Sequence, residues 1–267
     1  MDTQDKRFAL LIDGDNIGSK YIQDIINELT KEGVITYKRI YGDWTKPDLA
    51  KWKEVLLEHS ITPVQQYAYT TGKNATDSAM IIDAMDILYA GKVDGFCLAS
   101  SDSDFTRLAV RLREAGMVVI GMGLQHTPQS FVAACSMFKY IEVISNENDG
   151  QLKTKKQGNV KTGSPKPASA AKSEQKTAPV LDEKEQKTVD YIRNAIDEKS
   201  EDDGWMLVSL LGSMLQKAFT DFDPRNFGEK KLVDLLKKWG FETKAFQDPN
   251  NKANPSGNII YVRNKTK

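Results

Sequence analysis

The chain is expected to be an α/β protein: a parallel-sheet domain, a flexible linker, then a small α+β domain. Three observations carry that expectation. Strand-like and helical patterns alternate strictly from residue 7 to residue 143. The stretch from Gln151 to Pro179 is dominated by Lys, Ser, Thr, Ala, Gln, Gly and Pro. Aromatic residues, absent between Tyr140 and Tyr191, then return in a segment of three helical patterns followed by two strand patterns.

The first strand, Phe8 to Ile12, is a run of five apolar residues, the pattern of a strand buried on both faces as in a parallel sheet. Further strands are expected at Ile35–Tyr41, Thr62–Tyr69, Phe96–Ser100 and Val118–Met122, with a short one at Tyr140–Ile144. Helices are expected between them at Lys20–Glu32, Pro47–Glu58, Thr76–Ala90, Phe105–Ala115 and about Pro128–Ser136. In the first of these, Tyr21, Ile22, Ile25, Ile26 and Leu29 recur at helical spacing on one face. The second opens on Pro47, whose missing N–H costs nothing in a first turn. Strict βαβα alternation places helices on both faces of a parallel sheet.

Residues 148–182 cannot bury enough apolar surface to offset the entropy of ordering, so they are expected to form a linker. Beyond it, helical patterns cover Glu183–Glu198, Leu207–Ala218 and Gly228–Trp239, where Gly240 is a stop signal. Strands at Phe241–Phe246 and Ile259–Arg263 then flank the polar turn Gln247–Asn258. Three helices followed by a hairpin is the outline of a winged helix.

Composition narrows the function. The 267 residues carry zero formal net charge, with 40% hydrophobic and 28% charged side chains, as expected of a soluble globular protein. No run reaches the ~18 apolar residues of a membrane span, and Met1 to Arg7 leads straight into the first strand without a signal-peptide pattern. Two cysteines, Cys97 and Cys135, cannot build a disulfide framework and fit reduced, packed positions in the cytoplasm. With two histidines besides, a structural zinc site is not expected. The neutral total hides an uneven distribution. Residues 1–149 hold 15 basic and 21 acidic side chains, whereas residues 151–180 hold seven lysines and one glutamate. Those lysines suit either nonspecific attraction to nucleic acid or simple solubility.

The acids of the first domain are not scattered. Asp13 and Asp15 follow the first strand, Asp77 opens the third helix, and Asp102 and Asp104 follow the fourth strand. In a parallel sheet these three βα loops share one edge, the edge where ligands bind in open α/β folds. Five aspartates and Asn16 would converge there. Clustered carboxylates repel one another unless compensated, and Mg²⁺ or Mn²⁺, which prefer oxygen ligands, would compensate them. Aspartates also cap helices and turn chains; Asp77 and Asp104 fit that role too. Asp13 does not, because it continues a buried strand, where a lone charge is costly. Asp83 and Asp86 lie further along the Asp77 helix on other faces and are expected to be structural. Gly121-Met-Gly123 resembles the start of a dinucleotide loop but lacks the third glycine. His59 and His126 have no partner that would make either a catalytic base.

Leu11-Ile-Asp-Gly-Asp-Asn16, Lys73 to Asp77, and Ser100-Ser-Asp-Ser-Asp-Phe105 together resemble the NYN domain of the PIN-like nuclease superfamily, over about residues 7–145. The resemblance implies a central parallel sheet, an acidic metal pocket and, in many members, RNA cleavage. It implies Asp13, Asp77 and Asp102 as metal-binding acids, with Asp104 and Asn16 as further residues of the catalytic motifs. Ser101 stands where many members have glycine. Asp15, Lys73 and Arg107, beside these motifs, are candidates to touch substrate. Gly204 to Ser213, Phe222 to Gly228 and Lys231 to Leu236 resemble the LOTUS (OST-HTH) domain, over about residues 185–264. That likeness implies a small winged helix associated with RNA, including structured G-rich RNA, and a pairing with NYN domains that recurs in bacterial proteins.

The domains expected are therefore 1–147, a basic linker 148–182, and 183–267. The function expected is a cytoplasmic, Mg²⁺- or Mn²⁺-dependent ribonuclease; the alternative is a weakly catalytic RNA-binding regulator. Asp13-Gly14-Asp15 is also superficially similar to the nucleophile loop of haloacid-dehalogenase-type phosphatases. Ile17 departs from it, standing where Thr or Val is usual, and no cap or flap insertion follows.

Overall fold

Each residue of the Phe8–Ile12 run is buried, and alternate side chains enter different cores. Ala9 and Leu11 pack on one face of the sheet, Phe8, Leu10 and Ile12 on the other. A strand covered on both sides has no place for polar residues, which accounts for the uninterrupted apolar run. The computed structural model describes residues 5–67, 75–146, 182–200, 203–247 and 258–265. The chain divides into two compact units, residues 1–152 and 153–267.

The first unit is a six-stranded sheet in the order β3-β2-β1-β4-β5-β6, parallel throughout. Its strands are β1 (Arg7–Asp13), β2 (Val34–Gly42), β3 (Thr62–Gln65), β4 (Gly95–Ala99), β5 (Val118–Gly123) and β6 (Met137–Tyr140). The face with Phe8, Leu10 and Ile12 is covered by α1 (Ile22–Leu29) and α2 (Trp52–Leu56), through Ile22, Ile25, Leu29 and Trp52. The other is covered by α3 (Ala75–Ala90), α4 (Thr106–Glu114) and α5 (Gln129–Ala134), through Met80, Ala84, Leu108, Leu112 and Phe131 among others. The chain winds from β1 outward to β3, then returns to the far side of β1 for β4. The order therefore reverses between β1 and β4, which is where an open sheet leaves a crevice beyond its carboxyl ends.

Two expectations need correction. The last strand was expected at Tyr140–Ile144, but it is Met137–Tyr140, and residues 141–146 are helical. The register is set by packing rather than by the β-branched run. A side chain at Gly121 would come within 2.4 Å of Phe138, so the bare glycine makes room for that ring beside β5. One strand position on, Lys139 is buried on the opposite face and bonds Glu28 and Glu32 of the α1 segment at 2.9 Å each. The strand expected at Thr62–Tyr69 ends at Gln65; residues 68 and 69 lie outside the described residues.

The second unit has its own core, built on Val189, Ile192, Leu211, Leu215, Leu235 and Leu236. Its helices are α6 (Glu183–Lys199), α7 (Val208–Ala218) and α8 (Leu232–Lys238). Asp182 and Glu185 form a reciprocal capping box that starts α6. The two expected strands are β8 (Glu242–Gln247) and β9 (Asn258–Arg263), antiparallel. A third, β7 (Met206–Leu207), was not foreseen; at two residues it carries no periodicity, and only its pairing with β9 defines it. All but Asp182 of the linker, 148–181, lies outside the described residues. Among the described residues, no helix is long and apolar enough to cross a membrane.

Candidate active site

Asp13 is the last residue of β1 and only 1% exposed. Its two oxygens accept four hydrogen bonds. Oδ1 takes the backbone N–H groups of Asp15 (3.1 Å) and Asn16 (3.3 Å); Oδ2 takes the Asn16 side-chain amide (2.6 Å) and the Ser100 hydroxyl (2.7 Å). Burial pushes its carboxyl above the ordinary value, opposed by the bonds from Ser100 and Asn16. Gly14 follows because there is no room for more: an added Cβ would lie 2.8 Å from the Tyr41 carbonyl oxygen, which Gly14 N–H already contacts at 2.9 Å.

Ser100 also accepts the backbone N–H of Asp102 at 3.0 Å, so one hydroxyl fixes both the β1 acid and the loop after β4. Ser101, at the position where glycine is usual, accepts the Leu124 N–H at 2.9 Å and ties that loop to the end of β5. Asp102 then caps a short 3-10 turn, its Oδ1 accepting the Asp104 N–H at 2.9 Å. From the other side, the first turn of α3 brings Asp77, half-buried, and Thr76, whose hydroxyl donates to Asp15 Oδ2 at 3.0 Å.

Carboxylate oxygens of Asp77, Asp102 and Asp104 all lie within 4.8 Å of one another. Asp13 is not in that trio but is its neighbour. The Asp77 carboxyl is pushed up to about 6, by burial first and then by the charges of Asp13, Asp102, Asp104 and Asp15. Hard oxygen donors gathered this closely suit a hard divalent cation. The donor set fits a divalent metal ion.

The structure thus gathers four expected acids at one edge and sorts them. Asp15 stands slightly apart, bonded to Thr76 and to Lys46 Nζ at 3.4 Å. Asn16 is exposed, and its side-chain amide donates to Asp13. Arg107 is exposed on the first turn of α4 and forms no ion pair with a described residue. Lys73 lies outside the described residues. Asp83 is structural, as expected: it accepts bonds from Arg39 and Tyr41 of β2. Gly121 and Gly123 are packing glycines too, a Cβ at Gly123 falling 2.5 Å from the Ser100 carbonyl oxygen.

Ser100, Thr76 and Lys46 were missed in the sequence. Ser100 could have been found from its place between a buried strand and two acids; Lys46, 31 residues from Asp15, could not. Lys46 lines a cleft of about 520 Å³ next to the acids, together with Lys20, Lys51, Asp15 and Asn16.

An open parallel sheet that gathers acids over its switch point defines an α/β domain with a candidate divalent-cation site. The chain belongs to the NYN domain family, whose model matches residues 7–142. The model of the OST-HTH/LOTUS domain matches residues 179–244. NYN domains are PIN-like and typically ribonucleases, and OST-HTH/LOTUS domains bind RNA. No curated protein matches the chain. Among solved structures, a protein of unknown function from Vibrio parahaemolyticus is similar at 18% identity and a TM-score of 0.43, over 52% of this chain and 94% of that one. MurG of Acinetobacter baumannii is similar at 11% identity and a TM-score of 0.35, over 50% of this chain and 40% of that one.

Proposed function

We propose that the chain is a metal-dependent ribonuclease that hydrolyses RNA phosphodiester bonds at the Asp77–Asp102–Asp104 cluster. The single observation behind this is the convergence of those three carboxylates to within 4.8 Å beside a fourth, buried acid. Asp77, Asp102 and Asp104 would hold Mg²⁺ or Mn²⁺, and Asp13 is the buried acid beside them. When bound, such an ion lowers the pKa of a water and offsets charge on the phosphoryl oxygens. Asp13 is not a covalent nucleophile. Its oxygens are buried and saturated with donors, which argues against the phosphatase reading. Its work is positional: through Ser100 it holds the loop that presents Asp102.

The first domain is acidic, and RNA approaching it needs a cationic path. Lys20, Lys46 and Lys51 line the cleft beside Asp15, and we assign them to phosphates flanking the scissile bond, with Arg107 and Lys73 as further candidates. Each lysine that neutralises a phosphate adds about 0.7 to the slope of log affinity against log salt for a single strand. Replacing all three with alanine should therefore lower that slope by about 2 while leaving the fold intact, because all three side chains are at the surface. An unchanged slope would place the RNA elsewhere. The OST-HTH/LOTUS domain would act by tethering, raising the local concentration of RNA without touching the scissile bond.

The decisive experiment compares wild type and Asp102→Asn on labelled single-stranded, duplex and G-rich RNA and on DNA, with Mg²⁺, Mn²⁺ or EDTA. Cleavage of RNA by wild type, lost with EDTA and in the variant, is expected. Equal cleavage by both proteins would expose a contaminant. Independently of turnover, Mg²⁺ or Mn²⁺ should raise the thermal midpoint of the NYN domain, and EDTA should reverse the gain, since a ligand that binds only the folded state stabilises it.

A further inference from the structure

The three-stranded sheet of the second unit has one face on its core and one face that packs against nothing in that core. Val262 of β9 is fully buried and so is its partner Met206 of β7. Strand alternation then sends Tyr261 and Arg263 to the opposite face. Their partners across the sheet, Lys244 and Glu242 of β8, share that face, as does Phe246 two residues on. Trp205, one residue before Met206, joins them.

These side chains form two contact groups on that face, Trp205 with Arg263 and Glu242, and Tyr261 with Phe246 and Lys244. The Arg263 guanidinium lies over the Trp205 ring, 4.6 Å from its centroid, and is held there by Glu242 at 2.7 Å. The rings of Tyr261 and Phe246 meet edge to face at 5.5 Å. Lys244 Nζ lies over Phe246 at 4.3 Å. None of the three aromatic residues belongs to the core cluster, and Phe246 is 43% exposed. Three rings that share one sheet face outside the core form an apolar patch of the kind that marks an interaction surface.

We propose that this sheet face is a stacking platform for the bases of single-stranded RNA, with Arg263 and Lys244 taking its phosphates. Aromatic rings interleaved with cations match flat bases on a charged backbone. The rings and Arg263 would suit a protein partner as well, but Lys244 beside them favours a nucleic acid, because the centres of protein interfaces are depleted in Lys. Bases in a duplex are already stacked on each other and cannot use the platform. The proposal rests on RNA being the ligand of this chain, as above, but it does not depend on the acidic cluster.

The test uses the full chain in EDTA, so that no RNA is cut, with a short fluorescein-labelled oligouridylate and a duplex RNA of the same length. Tyr261→Ala and Phe246→Ala should each weaken oligouridylate binding about tenfold and leave the duplex unaffected. Tyr261→Phe should bind like wild type, since it keeps the ring. Phe246→Ala alters an exposed side chain, so circular dichroism should match wild type even if Tyr261→Ala folds poorly. Unchanged oligouridylate affinity in Phe246→Ala and Tyr261→Ala would overturn the platform and leave the face to a protein partner. Equal losses on duplex and single strand would overturn it in favour of a purely electrostatic contact. A wild type that binds neither RNA in EDTA would overturn the platform and leave the ribonuclease to its own cleavage assay, whereas loss of oligouridylate binding in the two variants with Mg²⁺-dependent chemistry retained at saturating RNA would uphold the platform.

Discussion

Asp77→Asn should abolish RNA cleavage and, in metal-free buffer, make the NYN domain more stable. The two effects have one cause. Asp77 is half-buried, and its carboxyl is pushed up to about 6 by burial and by Asp13, Asp102, Asp104 and Asp15. A carboxyl raised in the folded state costs stability as pH climbs from its unfolded value near 4 through about 6, and the full cost is present at pH 7. A neutral amide of the same shape removes that cost. It also removes one of three carboxylates that lie within 4.8 Å. Losing one preorganised electrostatic contact of this kind slows reactions about a thousandfold. Melting curves in EDTA at pH 5 and pH 7 check the first part: wild type should lose stability between them, and the variant should lose less. Cleavage assays check the second. A variant less stable than wild type at pH 7 in EDTA would show that the cluster is not frustrated.

Asp13→Ala and Asp13→Asn should part company. Alanine leaves two backbone N–H groups and the Asn16 amide, all part-buried, and the buried Ser100 hydroxyl without their acceptor. One buried polar group without a partner costs about 1–3 kcal/mol, so a total loss of about 3 kcal/mol is expected even after partial rescue by water. That corresponds to a fall of roughly 10 °C in the midpoint of a domain this size. Asparagine keeps an acceptor for the two backbone groups, and the Asn16 amide and Ser100 hydroxyl can turn to meet its NH₂. It should fold, with a much smaller fall, and still lose cleavage. Denaturant or thermal melts of both variants decide the matter. If alanine and asparagine proved equally stable, the hydrogen-bond network around Asp13 would carry no structural weight, and its role would be electrostatic alone.

The legible part of this protein was the part written in short-range pattern. Phe8 to Ile12 announced a strand covered on both faces, because a parallel sheet between two helical layers has no solvent side. Strict alternation announced the sheet, and a parallel sheet obliges its βα loops to share an edge, so the pattern alone puts Asp13, Asp77 and Asp102 together. The same patterns marked α6, α7 and α8 and the hairpin of the second unit.

What the sequence could not supply depends on contacts between distant residues. Five aspartates pointed to one edge, but their burial divided them: Asp13 became a buried, saturated acid, Asp15 a partner of Thr76 and Lys46, and Asp77, Asp102 and Asp104 the cluster. The last strand began three residues earlier than its β-branched run suggested, because Phe138 needs the bare Gly121 beside it. The two-residue β7 exists only through β9, and with it the aromatic face that Trp205, Tyr261 and Phe246 share. Periodicity reports which way a side chain faces within its own element. Which atoms finally meet is decided by packing, and packing is settled only when the whole chain has folded.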